Sequence, residues 1–113
     1  MKYLLLIYGN HEGWNALGED RAALDAAHRS VFDELTASGE LLDSNELDGL
    51  HSAVVRRDAA DAVIVTEGPF VEGREIVGGY YLVDCVSQDR AVEIAARLEE
   101  TRYSLVDVRP VVS

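Results

Sequence analysis

The chain opens with an unbroken apolar run, Tyr3 to Tyr8. Lys2 to Tyr8 predicts a strand that is apolar on both faces, as a strand covered on both sides is. Gly9 and Asn10 end it, and a polar loop carrying Trp14 is expected next. The period then changes from two to 3.6. Leu24, Ala27, Val31 and Leu35 recur at helical spacing and Phe32 widens the stripe. They predict a helix that starts near Gly18, holds Glu19 and Asp20 in its first turn where negative charge suits the dipole, and caps at Gly39. His28 lies inside this stripe, one turn from Leu24 and one from Phe32, so it is expected to face a sheet.

Leu41 to Leu47 predicts a second strand, of mixed polarity. Asp48-Gly49 is a turn signal, and Ser52 to Arg56 is expected to return beside that strand as a hairpin. Asp58 to Asp61 marks a further turn, Ala62 to Thr66 is a β-branched strand, and Glu67-Gly68-Pro69-Phe70 breaks it. Val71 to Val77 is read as a loop or an edge excursion, with Gly78-Gly79 leading into a strand from Tyr80 to Cys85. Ser87 is a good N-cap, Val86 and Ala91 are placed as a hydrophobic staple, and Ala91, Ile94, Ala95 and Leu98 give one buried helical face. Glu99 and Glu100 close this helix against its dipole, and nothing in the local pattern accounts for them. Leu105 to Val112 is the last strand, with Leu105, Asp107 and Arg109 alternating with Val106 and Val108. The order is that of an α+β fold: a ferredoxin-like split β-α-β antiparallel sheet with an extra hairpin, in a single domain over residues 1–113.

Two helices cover one face of such a sheet and leave the other bare. Tyr3 to Tyr8, Ala62 to Val65 and Tyr80 to Val83 nevertheless carry apolar side chains on both faces. A patch of that size is rare on a monomer, and the expected cover is the same face of a second copy, in a homodimer built as a dimeric α+β barrel. Tyrosines that face a cleft instead of a partner are the other reading.

Composition narrows the function. The hydrophobic fraction of 48% and charged fraction of 27% are those of a globular protein. Acids outnumber bases 21 to 10, for a net charge of −11, and no basic patch is evident. Nucleic acid and anionic membranes are therefore not expected partners. The one cysteine, Cys85, sits in an apolar run and is read as a buried inert thiol. The N-terminal apolar run is too short for a membrane span and lacks the features of a signal peptide, so a cytoplasmic location is expected. His11, His28 and His51 are scattered without metal-ligand spacing, and no phosphate or dinucleotide fingerprint is present. No metal and no cofactor are expected.

Four segments carry a resemblance. M-K-Y-L-L-L-I-Y-G at the start, V-T-E-G-P-F at Val65 to Phe70, G-G-Y-Y-L-V-D at Gly78 to Asp84 and V-D-V-R-P-V at Val106 to Val111 are similar to the YCII-related, or DGPF domain, family over nearly the whole chain. The resemblance implies a dimeric α+β barrel. It also implies a possible active-site pair, a histidine of the first helix with the acid of the D-G-P-F motif, which here match His28 and Glu67. Glu67 stands where the family usually has aspartate, so the carboxylate lies about one methylene further out, and catalytic geometry tolerates little displacement. Association of some relatives with extracytoplasmic-function sigma factors implies a regulatory role instead.

The expected function is thus a small-molecule-binding protein or enzyme with His28 as acid–base and Glu67 as its orienting carboxylate, in a cleft between helix and sheet. The alternative is a non-catalytic dimeric regulatory module acting through protein contacts. His28 has a plainer reading too, a core histidine satisfied by a backbone carbonyl or a tyrosine hydroxyl. Candidate ligand-binding positions are Gly68 and Pro69, which either aim Glu67 or simply form a turn. Tyr80 and Tyr81 are others, and they must point to opposite faces. Arg109 is the last; it either binds an anion or pairs with Asp107.

Overall fold

The computed structural model describes residues 1–18, 21–70 and 73–113. Their elements run β1 (Lys2–Gly9), α1 (His11–Leu17), α2 (Arg21–Ser38), β2 (Leu41–Glu46), β3 (Ala53–Arg57), β4 (Val63–Glu67), β5 (Ile76–Asp84), α3 (Gln88–Ala96) and β6 (Val106–Pro110), with a 3₁₀ turn at Glu99–Arg102 between the last two. Four strands form one antiparallel sheet in the order β2-β5-β1-β6. This is the ferredoxin-like order, with β3 and β4 inserted as a separate two-stranded hairpin. Among the described residues, no helix is long and apolar enough to cross a membrane.

Alternation along β1 explains the layering. Tyr3, Leu5 and Ile7 are buried against the helices, with Tyr81, Val83 and Gly79 opposite them on β5. α2 presses Val31 and Leu35 onto this face, and α3 adds Ala91, Ile94 and Ala95. Cys85 is buried in the same core. The intervening residues Leu4, Leu6, Tyr8, Tyr80 and Leu82 point to the opposite, outer face, where no helix of the described residues lies and each stays half-exposed.

Several elements depart from expectation. The segment with Trp14 is helical, because the Asn10 side chain accepts a hydrogen bond from Gly13 N (2.6 Å) and Asn10 O accepts from Trp14 N (2.9 Å). The expected first turn at Glu19 and Asp20 lies outside the described residues. The hairpin is not Leu41–Leu47 with Ser52–Arg56. β2 pairs with β5, and β3 pairs with β4. The tight turn is Asp58–Asp61, where Asp58 Oδ1 accepts from Ala60 N and Ala62 N and Asp61 takes a positive φ of 65°. β5 begins at Ile76, so Gly78 and Gly79 fall inside it, beside a register shift opposite Ile7 and Tyr8. α3 ends at Ala96, before Glu99 and Glu100.

Glu40, just past α2, ties the two helices together. Its carboxylate receives Arg90 Nε (3.0 Å) and Arg90 Nη2 (2.8 Å), and both side chains are mostly buried. Arg90 holds the Glu40 carboxyl below its ordinary pKa. A depressed carboxyl favours the fold above the unfolded value and loses that contribution as pH falls through the folded one. Glu40→Ala is therefore expected to cost about 1.5–3 kcal/mol in urea unfolding at neutral pH. That deficit should shrink below pH ~4; an equal deficit at both pH values would remove the ion pair as its cause.

Candidate functional site

A cleft of about 810 Å³ opens between α2 and the helix-facing side of the sheet. Its size is that of a small-molecule site. α2 brings Leu24, His28 and Phe32 to one wall, as their helical spacing requires; β5 brings Tyr81, and Trp14 closes one end. Trp14 is seated in a slot made by glycines from three segments. A methyl group at Gly9 would collide with its indole, one at Gly49 would lie 2.7 Å from it, and one at Gly78 3.3 Å. Gly9→Ala should displace the indole at a cost of about 1–3 kcal/mol. Trp14 is the one tryptophan, so its emission should shift to the red in that variant; unchanged emission would mean the slot does not hold the ring.

His28 is the centre of the polar part. Its Nε2 lies 2.7 and 2.9 Å from the two carboxylate oxygens of Glu100, and its Nδ1 lies 2.7 Å from the Tyr81 hydroxyl. The His28 and Tyr81 rings are inclined at 27° to each other, with centroids 5.9 Å apart. A carboxylate only accepts, so the ring proton belongs on Nε2, donated to Glu100; Nδ1 then accepts the Tyr81 O–H. Glu100 is 10% exposed at its side chain, His28 24%, and Tyr81 3% overall. Burial, together with the nearby Glu100 charge, pushes the Tyr81 phenol up to about 12. The same two causes raise Tyr103 to about 12.

The expected site residues divide. His28 and Tyr81 line the cleft and touch each other. The reading of His28 as satisfied by a tyrosine hydroxyl thus describes one of its nitrogens, and the carboxylate pairing describes the other. That carboxylate is Glu100. Glu67 is exposed at the end of β4, on the separate hairpin, and both His28 nitrogens are engaged elsewhere, so a single chain does not bring the two together. Gly68 stands at the base of the hairpin, where its N donates to Ser52 O (2.7 Å), and Pro69 lines a separate smaller hollow with Asn10 and Ile76. Tyr80 points to the outer face, as the alternation with Tyr81 requires. Its hydroxyl donates to Asp43 Oδ2 (2.6 Å) and accepts from Asn45 Nδ2 (2.9 Å). Arg109, also on the outer face, pairs with Asp107 (2.8 Å), the plainer of its two expected roles.

Glu100 is the residue that sequence reasoning missed. Its signal was present: an acidic pair at a helix end, where the dipole disfavours it, has some other reason to be there. The chain leaves α3 at Arg97, turns through Glu99–Arg102, and this turn delivers Glu100 across the sheet to a histidine 72 residues earlier.

Comparison with known proteins agrees with the resemblance. The chain is 30% identical over 115 residues to a protein of Rhizobium meliloti (strain 1021) named "Uncharacterized protein R00369", covering 97% of this chain and 91% of that one. The family model described as the YCII-related domain matches residues 1–113. The chain belongs to the YCII-related domain family.

Proposed function

We propose that this protein is a small-molecule enzyme that moves a proton in the cleft between α2 and the sheet, with Tyr81, His28 and Glu100 as its relay. The observation that carries the reading is the unbroken chain of short hydrogen bonds from Tyr81 through both nitrogens of His28 to a buried carboxylate. Glu100 fixes the tautomer and stabilises the imidazolium. Tyr81 passes its proton to Nδ1 as it takes one from the ligand; in reverse it takes the Nδ1 proton as it gives its own away. Neither direction needs a free phenolate, which a pKa of about 12 disfavours. The apolar walls, Leu24, Phe32 and Trp14, suit the hydrocarbon or aromatic part of a ligand.

The reading is tested by incubating the protein in D₂O with a panel of small enolisable carbonyl compounds and following deuterium incorporation by NMR. At least one compound should exchange faster, and His28→Asn should slow that exchange by roughly 10²–10⁴-fold while the protein stays folded. Exchange that is indifferent to His28 would remove the relay from the chemistry.

Assembly forms the second part of the proposal. The outer sheet face, with Leu4, Leu6, Tyr8, Tyr80 and Leu82, pairs with the same face of another copy. The support is that these apolar side chains have no covering layer among the described residues.

A further inference from the structure

The β3–β4 hairpin is the most exposed part of the molecule, and its pattern is wrong for a free surface. Among the described residues β3 bonds to β4 alone, and every residue of the two strands is exposed or half-exposed. Register places Ala53, Val55, Val63 and Val65 on one face, with Arg57 and Glu67 at its two ends, and Val54, Arg56, Ile64 and Thr66 on the other. The second face is partly shielded, since Arg56 stacks on the Phe70 ring at 5.6 Å. The first is bare: Val55 is 63% exposed, Val65 62% and Val63 55%. A lone two-stranded hairpin is marginal in water at best, and β-branched residues on an open face leave it more so. The radius of gyration is 15.9 Å, against about 13 Å for a compact chain of this length.

We propose that the β3–β4 hairpin is an arm whose valine face closes over a second copy of this chain. The inference rests on the pairing of outer sheet faces proposed above and adds what holds that pair together. Area favours it. With strands ~4.8 Å apart and a rise of ~3.3 Å per residue, the four-stranded face covers roughly 400 Å², so two faces bury about 800 Å². A stable interface needs at least about 1,200 Å². One arm face covers roughly 160 Å². Two arms, with the surfaces they lie on, add about 640 Å² and bring the total to about 1,400 Å², inside the stable range. The chain's own sheet does not use the arm, so its natural counterpart is the partner's.

The test is sedimentation equilibrium on the wild-type chain, V55E/V65E, and T66E, each checked for fold by circular dichroism. The wild type should be a dimer. V55E/V65E should weaken it by at least ~100-fold, because two unpaired carboxylates would be buried. T66E, on the opposite face of the same strand, should leave the dissociation constant within about threefold. A wild-type dimer that V55E/V65E leaves unchanged would overturn the arm and spare the pairing of sheets. Equal weakening by T66E would overturn the assignment of the valine face. A wild-type monomer at tens of micromolar would overturn both.

Discussion

Glu100→Ala is expected to lose about 2–3 kcal/mol of folding stability and to slow proton transfer in the cleft by roughly 100-fold or more. The stability loss comes from His28 Nε2, which would face a mostly buried site without its acceptor. The rate loss has a different origin: without the carboxylate the imidazolium is no longer stabilised and either tautomer can form. Glu100→Gln separates the two. Its amide oxygen still accepts the Nε2–H, so stability should largely return; its charge is gone, so the rate should not. Urea unfolding and deuterium exchange measured on both variants check this. If the glutamine variant exchanged as fast as the parent, Glu100 would be a packing residue and nothing more.

Tyr81→Phe should change how the protein meets alkali. The Tyr81 pKa is raised from about 10 in the unfolded chain to about 12 in the fold. The fold therefore favours the neutral phenol. That contribution is complete below pH ~10 and is lost as pH climbs toward 12, because the unfolded chain releases the proton first. The rise from 10 to 12 corresponds to about 2.7 kcal/mol, an upper estimate for this one group. The parent should thus weaken steeply between pH 10 and 12, and Tyr81→Phe less steeply. Tyr103, raised to about 12 as well, keeps part of the slope in the variant. At neutral pH the variant should be about 1 kcal/mol less stable, since Nδ1 loses its donor. Unfolding monitored by circular dichroism at pH 8 and pH 11 decides it; a parallel decline in parent and variant would place the alkaline sensitivity elsewhere.

Local pattern made the helices and the central strands legible. The stripe of Leu24, Val31 and Leu35 is a property of twelve consecutive residues, and the alternation of β1 is a property of eight. Strand pairing was harder, because Leu41–Leu47 and Ser52–Arg56 are both plausible neighbours by spacing, while the structure pairs β2 with a strand some forty residues on. What decided it was turn chemistry: Asp58 closes a two-bond turn, whereas Asp48-Gly49 belongs to a connection that also receives Trp14. The candidate site was half legible. His28 could be assigned to the sheet-facing side from its helical phase alone, and Tyr81 to the face opposite Tyr80. The carboxylate could not be, because its contact spans 72 residues and depends on where α3 stops. The V-T-E-G-P-F motif drew attention to Glu67 instead, which the hairpin carries away from the cleft.

The relay itself can be observed by ¹⁵N NMR of the His28 imidazole in its neutral form. With Glu100 accepting and Tyr81 donating, the ring should be locked with its proton on Nε2 and Nδ1 unprotonated, and Glu100→Ala should release it to a mixture of tautomers. A proton found on Nδ1 in the parent, or a tautomer mixture that Glu100→Ala leaves unchanged, would contradict it.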